Sequence, residues 1–274
     1  MSSTACYDLR DKVALVTGGA QGLGLAIAAE LARCGAAVWL GDLQDEKARV
    51  AAETLCRNEL RANAIELNVT DSASVDAAMA HIAAEAGRID ILVNSAGVGQ
   101  TVTPIIDLSD AEWNRVLEVT LTGTFRCCRA AARIMAKQES GAIVNLASVN
   151  GQNPAGLVAA YNVAKAGVIS LTRSLALEVA AYGVRVNAVS PGPVYTDFNR
   201  SVMAQRCTRM GITEPELIER IRASIPLGRW GEPSDIADAV AFLCSSRASW
   251  MTGEILRVSG GLEGVAAPVP RTRT

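Results

Sequence analysis

Tyr161 and Lys165 lie four positions apart in a stretch with helical periodicity, so their side chains share one face of a predicted helix. A free tyrosine has a pKa near 10 and is a poor base at neutral pH, whereas a neighbouring ammonium group favours its ionised form. A phenolate at neutral pH requires a pKa about three lower, which corresponds to roughly 4 kcal/mol. Tyr161 is therefore a candidate to take the proton of an alcohol hydroxyl, or to return one in the reverse direction.

Ser148 follows the apolar run Ala142–Leu146, which predicts a strand with Ser148 just beyond its carboxyl end. Ligands bind at that end of parallel strands, so the Ser148 hydroxyl is predicted to hydrogen-bond a substrate oxygen. The polar residues Asn150, Gln152 and Asn153 come next. They predict either a pocket for a polyol or other hydroxylated small molecule, with Asn150 in contact with the substrate, or a solvated loop.

A glycine-rich turn separates the first apolar run, Val13–Thr17, from the first helical stretch. The glycines at 18, 22 and 24 allow a tight turn, and the helix N-terminus that follows attracts anions such as a pyrophosphate. This spacing is a variant of the GxGxxG dinucleotide fingerprint, and a purely structural turn is the alternative.

Asp42 ends the second apolar run about 20 residues after these glycines, where an acid can hydrogen-bond the ribose hydroxyls of a dinucleotide. Its charge would repel a 2′-phosphate, and neither Gly18–Leu23 nor the pair Leu43 and Gln44 contains a Lys or Arg. The sequence therefore predicts NAD rather than NADP as the cofactor, and an Asp that merely ends a strand is the alternative. The positive ring of NAD would further favour a Tyr161 phenolate.

Short apolar runs alternate with helical stretches along the chain, which is typical of parallel strands covered by helices on both faces. We therefore predict an α/β fold: a single Rossmann-type doubly wound domain over residues 1–274, with its core at 9–261 and about seven parallel strands. The predicted strands are Val13–Thr17, Ala37–Gly41, Ala64–Leu67, Ile89–Val93, Ala142–Leu146, Val184–Val189 and Glu254–Val258. The predicted helices are Gln21–Cys34, Asp45–Leu60, Ser72–Ala86, Asp110–Lys137, Leu157–Ala181 and Pro233–Cys244.

Four features of this pattern carry further predictions. Residues 196–224 are predicted to be a mobile insertion that acts as a lid, and residues 262–274 a loose tail. The helix Leu157–Ala181 is apolar almost all round, which predicts a second subunit against it. Ser72 is predicted to cap the helix that begins there.

The composition excludes several classes of protein. His81 is the single histidine, so sites that need two or three histidines are excluded, and the seven cysteines form no CxxC pair. We therefore predict no metal site, and reduced thiols in a cytoplasmic protein. The net charge of −2 offers no basic excess for nucleic acid, and the sequence predicts neither a signal peptide nor a membrane span.

These motifs together resemble the short-chain dehydrogenase/reductase family from Leu9 to about Gly261. The segments that carry the resemblance are TGGAQGLG at 17–24, NSAG at 94–97, Ser148, YNVAK at 161–165, NAVSPG at 187–192, PLGRWGEP at 226–233 and VSGG at 258–261. The resemblance implies an NAD-dependent oxidoreductase that transfers a hydride between NAD(H) and a secondary alcohol or ketone. It also implies a homotetramer as the usual assembly.

The resemblance assigns roles to individual residues. Tyr161 is implied to be the acid–base group, Lys165 to hold the nicotinamide ribose and lower the tyrosine pKa, and Ser148 to orient the substrate oxygen. Besides Tyr161 and Lys165, the implied cofactor-binding residues are Gly18, Gln21, Gly22, Leu23, Gly24, Asp42, Leu43, Asn68, Val69, Asn94, Ala96, Gly97, Pro191, Gly192, Val194 and Thr196.

Three positions depart from the family pattern. Thr120 stands where the family usually has an Asn that holds a water in the proton relay, and a Thr hydroxyl has a different reach and donor set. We treat Thr120 as a candidate relay position. Asn68 replaces a usual Asp beside the adenine, and we expect little loss from this change. Ser95 replaces a common Asn, and we expect a modest effect.

The sequence leaves two alternative functions open. One is a 3-oxoacyl-type ketoreductase, which Asp42 argues against because that role usually prefers NADP. The other is a catalytically silent NAD-binding module, which only Thr120 favours.

Overall fold

The computed structural model describes residues 7–263, except for the side chains of residues 197, 198 and 201. Its strands are β1 Val13–Thr17, β2 Ala37–Asp42, β3 Ala62–Glu66, β4 Ile91–Asn94, β5 Gly141–Leu146, β6 Val184–Pro191 and β7 Ile255–Val258. They form one parallel sheet in the order β3–β2–β1–β4–β5–β6–β7, which reverses its direction of winding between β1 and β4. The predicted doubly wound α/β fold with about seven strands is confirmed.

Helices connect the strands, and five of those described have bounds close to helices expected from the sequence. They are α1 Gly22–Arg33, α2 Asp45–Arg57, α3 Ser72–Ala86, α4 Asp110–Leu117, α5 Gly123–Gln138, α6 Val149–Gln152, α7 Ala159–Val179, α8 Asp197–Met210, α9 Glu214–Ser224 and α10 Pro233–Cys244. The N-cap of α3 is Asp71 rather than the predicted Ser72. The Asp71 carboxylate accepts a hydrogen bond from the Ala73 backbone N–H at 2.9 Å, which satisfies a free donor of the first turn.

The inner strands of the sheet, such as β1 and β4, are buried on both faces, as continuous apolar strands require. Along β1, Ala14 and Val16 pack in one hydrophobic cluster with α1, α2 and α10. Val13 and Leu15 point to the other face and pack in a second cluster with α3 and α5. These two layers fix the carboxyl ends of the strands, from which the loops of the site project.

The predicted helix Asp110–Lys137 is interrupted. A π-helical turn, Glu118–Thr122, separates α4 from α5. Thr120 is completely buried in this turn, and the Thr124 hydroxyl donates a hydrogen bond to its carbonyl oxygen at 2.8 Å. Single π turns within helices are common beside functional sites, and this one lies next to the loop that follows β4.

The insertion at 196–224 contains two helices, α8 and α9. The N-cap of α9 is Thr213, whose side chain accepts from the Glu216 N–H while Glu216 accepts from the Thr213 N–H. Mobility of this insertion stays a prediction, as does the single-domain division. Leu262 at the start of the predicted tail is buried, and residues 264–274 lie outside the described residues.

Within residues 7–263, no helix has the length and apolar character needed to cross a bilayer. In the same range, no three His, Cys, Asp or Glu side chains are grouped so that they could hold a metal ion. The described cysteines are free thiols: Cys34, Cys56, Cys127, Cys128, Cys207 and Cys244.

Candidate active site

A cleft of about 490 Å³ lies at the carboxyl ends of the central strands, within the size range of small-molecule sites. The predicted glycine-rich turn, the end of β2, the loops after β4 and β5, the start of α7 and the segment after β6 all contribute to its wall. The predicted site residues that line it are Gly18, Gln21, Gly22, Leu23, Gly24, Asp42, Leu43, Asn68, Val69, Ala96, Gly97, Ser148, Asn150, Tyr161, Lys165, Pro191, Gly192, Val194 and Thr196.

The glycine-rich turn fits a phosphate group above the N-terminus of α1. A Cβ on Gly24 would lie 2.0 Å from the Gly18 carbonyl oxygen, so the turn and the helix pack this closely only with glycine. Gly22 has a φ of 57°, and a Cβ built on it meets no atom within 4 Å. The backbone is therefore open to the cleft where the free N–H groups of the helix begin, which is the arrangement that binds a pyrophosphate.

Asp42 is held in a fixed position at the end of β2. Its Oδ2 accepts a hydrogen bond from the Ala20 N–H and its Oδ1 from the Gln44 N–H, both at 3.0 Å. The carboxylate is buried yet lines the cleft, so it links the glycine-rich turn to the β2 end and presents a negative charge there.

Ser148, Tyr161 and Lys165 meet in this cleft. The Ser148 hydroxyl accepts from the Asn150 N–H at 3.1 Å and hydrogen-bonds with the Tyr161 phenol. Lys165 Nζ lies 5.7 Å from the centre of the Tyr161 ring and donates to the Leu146 carbonyl oxygen at 2.5 Å. The shared helix face predicted from the spacing therefore places all three groups together.

Burial is the main cause of the pKa shifts of Tyr161 and Lys165. It raises the pKa of Tyr161 to about 12, and the hydrogen bond from Ser148 acts in the opposite direction. Burial also lowers the pKa of Lys165 to about 8, because the ammonium form is poorly solvated. The protein's own groups therefore raise the pKa of Tyr161, whereas the sequence predicted that the Lys165 ammonium would lower it.

Gln100 fixes the start of α7, a role that the sequence alone did not suggest. Its Oε1 accepts from the Ala160 N–H at 2.7 Å, and its Nε2 donates to the Leu157 carbonyl oxygen at 3.3 Å. The N-cap residue of α7, Val158, has no capping side chain, so the buried Gln100 supplies the missing acceptor. This contact holds the first turn of the helix that carries Tyr161.

Comparison with known proteins decides the family. The family described as enoyl-(acyl carrier protein) reductase matches residues 18–263. The 3-oxoacyl-(acyl-carrier-protein) reductase FabG of Escherichia coli (strain K12) is 40% identical, over 92% of this chain and 97% of its own. The chain belongs to the short-chain dehydrogenase/reductase family. It is therefore an oxidoreductase of a family that uses a nicotinamide cofactor, as the motifs predicted.

Two further members of the short-chain dehydrogenase/reductase family resemble this chain over nearly its whole length. Galactitol 2-dehydrogenase of Rhizobium johnstonii (strain DSM 114642 / LMG 32736 / 3841) is 41% identical over 95% of this chain and 98% of its own. The crystal structure of levodione reductase superposes with a TM-score of 0.89 at 33% identity, over 93% of this chain and 98% of its own. The doubly wound sheet is thus shared with a solved member.

Two predicted residues do not reach the cleft wall of this short-chain dehydrogenase/reductase. Asn94 is buried behind it, because its Nδ2 donates to Asn145 Oδ1 at 2.8 Å in the interior of the sheet. Thr120 is also buried, and its Oγ1 accepts from the Val98 N–H at 3.2 Å. A Cβ built on Gly97 would lie 3.6 Å from the Thr120 hydroxyl oxygen and 3.9 Å from Lys165 Nζ, so both groups lie close to this glycine. A relay role for Thr120 stays a prediction.

Several residues of the cleft wall were not predicted as site residues, although Trp230 lies in the PLGRWGEP segment that carries the family resemblance. The cleft wall also includes Gln44, Leu67, Thr70, Val98, Gln100, Val119, Val158, Asn199, Val202, Met203, Arg206, Ile221 and Trp230. Conversely, Gln152 and Asn153 are exposed and lie outside the cleft lining, so Asn150 alone remains of the predicted polar run.

Proposed function

We propose that this protein oxidises a secondary alcohol with NAD, or reduces the matching ketone with NADH. The observation that carries the proposal is the convergence of Ser148, Tyr161 and Lys165 on the cleft that also contains the glycine-rich turn and Asp42. The glycine cradle and the acidic end of β2 fit the pyrophosphate and a ribose of the coenzyme.

The proposed proton chemistry takes place at the phenol oxygen of Tyr161. Ser148 donates a hydrogen bond to the substrate oxygen and orients it toward Tyr161, whose phenolate then accepts the hydroxyl proton and becomes the neutral phenol. When bound, a nicotinamide coenzyme supplies the hydride acceptor and a positive ring that favours the phenolate. Lys165, held by the Leu146 carbonyl, adds a second positive charge beside the ring of Tyr161.

NAD is proposed over NADP because of charge at the β2 end. Asp42 is fixed by two backbone N–H groups, so it cannot easily turn away from a 2′-phosphate. The charged residues among those that line the cleft are Asp42, Lys165 and Arg206. Lys47 donates to the Gln21 side chain but does not itself line the cleft, so it offers no ready partner for that phosphate.

Absorbance of the reduced coenzyme tests this preference. The wild type is expected to give a kcat/KM for NAD at least about 10²-fold above that for NADP, and Asp42→Ser to reduce the ratio about 10-fold or more. Ser retains one acceptor for the neighbouring N–H groups while the charge is lost. The exposed Glu46→Gln removes a charge nearby on α2, outside the cleft, and should leave the ratio unchanged. A wild type that prefers NADP overturns the argument from Asp42.

For the substrate we propose a hydroxylated small molecule, with a polyol as one member of the class. Asn150 supports a polar contact, and galactitol 2-dehydrogenase is a similar protein whose name denotes a polyol. The apolar lining from Val202, Met203 and Trp230 favours a substrate with hydrocarbon surface as well. The similarity to FabG supports a 3-oxoacyl ketoreductase as the second candidate.

We also propose a cytoplasmic homotetramer. The free thiols of the described cysteines favour a reducing compartment. Leu177 of α7 is 84% exposed, and Val163 of the same helix and Phe125 of α5 are also exposed. These exposed apolar side chains on α5 and α7 support the prediction that another subunit covers α7.

A further inference from the structure

One face of α8 forms part of the cleft wall. Asn199, Val202, Met203 and Arg206 all line the cleft, at the 3, 4 and 7 spacing of one helix face. Trp230 lines the same space. Arg206 lies two turns along α8 from Asn199, about 10 Å at the usual rise per residue.

Arg206 has no acidic partner among the described residues. Its Nε is buried, and no described residue accepts a hydrogen bond from it. Burial lowers the pKa of its guanidinium, and no carboxylate contributes to that shift. Neighbouring arginines of the same region differ, since Arg222 pairs with Glu219 at 2.5 Å and Arg229 with Asp235 at 2.7 Å.

Arg206 as a whole is half-buried. A partly desolvated cation without a counter-charge is costly, and the cost falls when a bound anion pairs with it. Guanidinium groups bind carboxylates through two parallel N–H bonds, which gives both strength and orientation. The apolar neighbours Val202 and Met203 suit a hydrocarbon segment between such a carboxylate and the reacting carbon. Asp42 is the single acid among the described residues that line the cleft, and it lies at the end of β2 rather than on α8.

We propose that Arg206 binds a carboxylate of the substrate, so that the substrate is a hydroxy acid or the matching keto acid. This inference rests on the proposed function, and it narrows the substrate class. The coenzyme pyrophosphate is another source of anionic oxygen. The glycine-rich turn already provides for that group at the N-terminus of α1, on a different element from Arg206.

Paired substrates test the proposal kinetically. Lactate, 3-hydroxybutyrate and 4-hydroxycyclohexanecarboxylate place the carboxylate at increasing distance from the carbinol, and each is compared with its primary amide. For the best acid, Arg206→Gln should lower kcat/KM about 10²-fold, while the amide changes less than about threefold. Arg206→Lys keeps the positive charge but loses the two parallel N–H donors of the guanidinium. Its kcat/KM for the acid should therefore lie between those of the wild type and Arg206→Gln. The exposed Arg220→Gln on α9 is the matched control and should leave both substrates unchanged.

Binding measured without turnover separates this proposal from the proposed function. Calorimetry of cyclohexanecarboxylate and cyclohexanecarboxamide with the NADH complex should show tighter binding of the carboxylate, and Arg206→Gln should remove the difference. Melting curves establish that each variant is folded.

Equal affinity for acid and amide in the wild type overturns the proposal, even if neutral alcohols are oxidised with NAD. A loss confined to NADH affinity in Arg206→Gln also overturns it, because the anion would then be a coenzyme phosphate. Carboxylate-selective binding without any NAD-linked oxidation would sustain the Arg206 site and overturn the proposed function.

Discussion

Tyr161→Phe is expected to lower kcat for secondary-alcohol oxidation about 10³-fold while the Kd for NADH changes less than about threefold. The substitution removes one oxygen and keeps the ring, so the packing around the first turns of α7 should persist. Ser148 loses the phenol as a hydrogen-bond partner but keeps the Asn150 N–H, and no other phenol of the described residues lines the cleft to replace the proposed base.

Tyr182→Phe provides the matched control, since Tyr182 is exposed and lies outside the cleft. It should retain wild-type kcat. Steady-state kinetics measures kcat, and fluorescence titration measures the Kd for NADH. Equal and negligible activity of wild type and Tyr161→Phe across a broad alcohol panel would instead favour the catalytically silent module.

Lys165→Met is expected to lower kcat by about 10²-fold or more and to change how stability depends on pH. In the unfolded chain the pKa of Lys165 is near 10.5, and burial lowers it to about 8 in the folded protein. Below pH 8 both states carry the proton, and the folded state bears the full cost of the buried charge. Between pH 8 and 10.5 the folded state has released the proton and the unfolded state still holds it, so wild-type stability rises with pH in this window.

The lowered pKa of Lys165 corresponds to about 3 kcal/mol of unfolding free energy. The wild type should gain this amount relative to Lys165→Met as the pH rises from below 8 to 10.5. Urea unfolding at pH 7 and pH 10 measures most of this difference. Tyr161 is present in both proteins, and its raised pKa lowers stability only above pH 10, so it largely cancels. The exposed Lys137→Met should track the wild type at both pH values. Parallel stability of Lys165→Met and wild type across the window would contradict a buried ammonium at this position.

Local patterns in the sequence were enough to predict much of the fold and part of the site. The run Val13–Thr17 gives β1 with the same bounds, because an apolar stretch closed by glycines has few alternatives. The four-residue spacing of Tyr161 and Lys165 sufficed to place them on one face. Both inferences depend only on neighbours in the chain.

Contacts between distant segments could not be predicted in the same way. Gln100 holds α7 from 60 positions away in the chain, and nothing around it marks it as a cap. Arg206 sits in a charged helical stretch, where an arginine is ordinarily solvated, and only the packing of α8 over the strand ends turns it into the cleft. The upward pKa shift of Tyr161 likewise results from burial by many elements, which the pairing with Lys165 alone could not indicate.

Isotope transfer tests the central claim most directly. A secondary alcohol that carries deuterium on its carbinol carbon is incubated with the protein and NAD, and the reduced coenzyme is analysed by mass spectrometry. The account predicts that the deuterium appears in NADH in proportion to the ketone formed, and that Tyr161→Phe slows this transfer about 10³-fold. Ketone formed without deuterium in the coenzyme, or labelling that is equally fast in Tyr161→Phe, would contradict it.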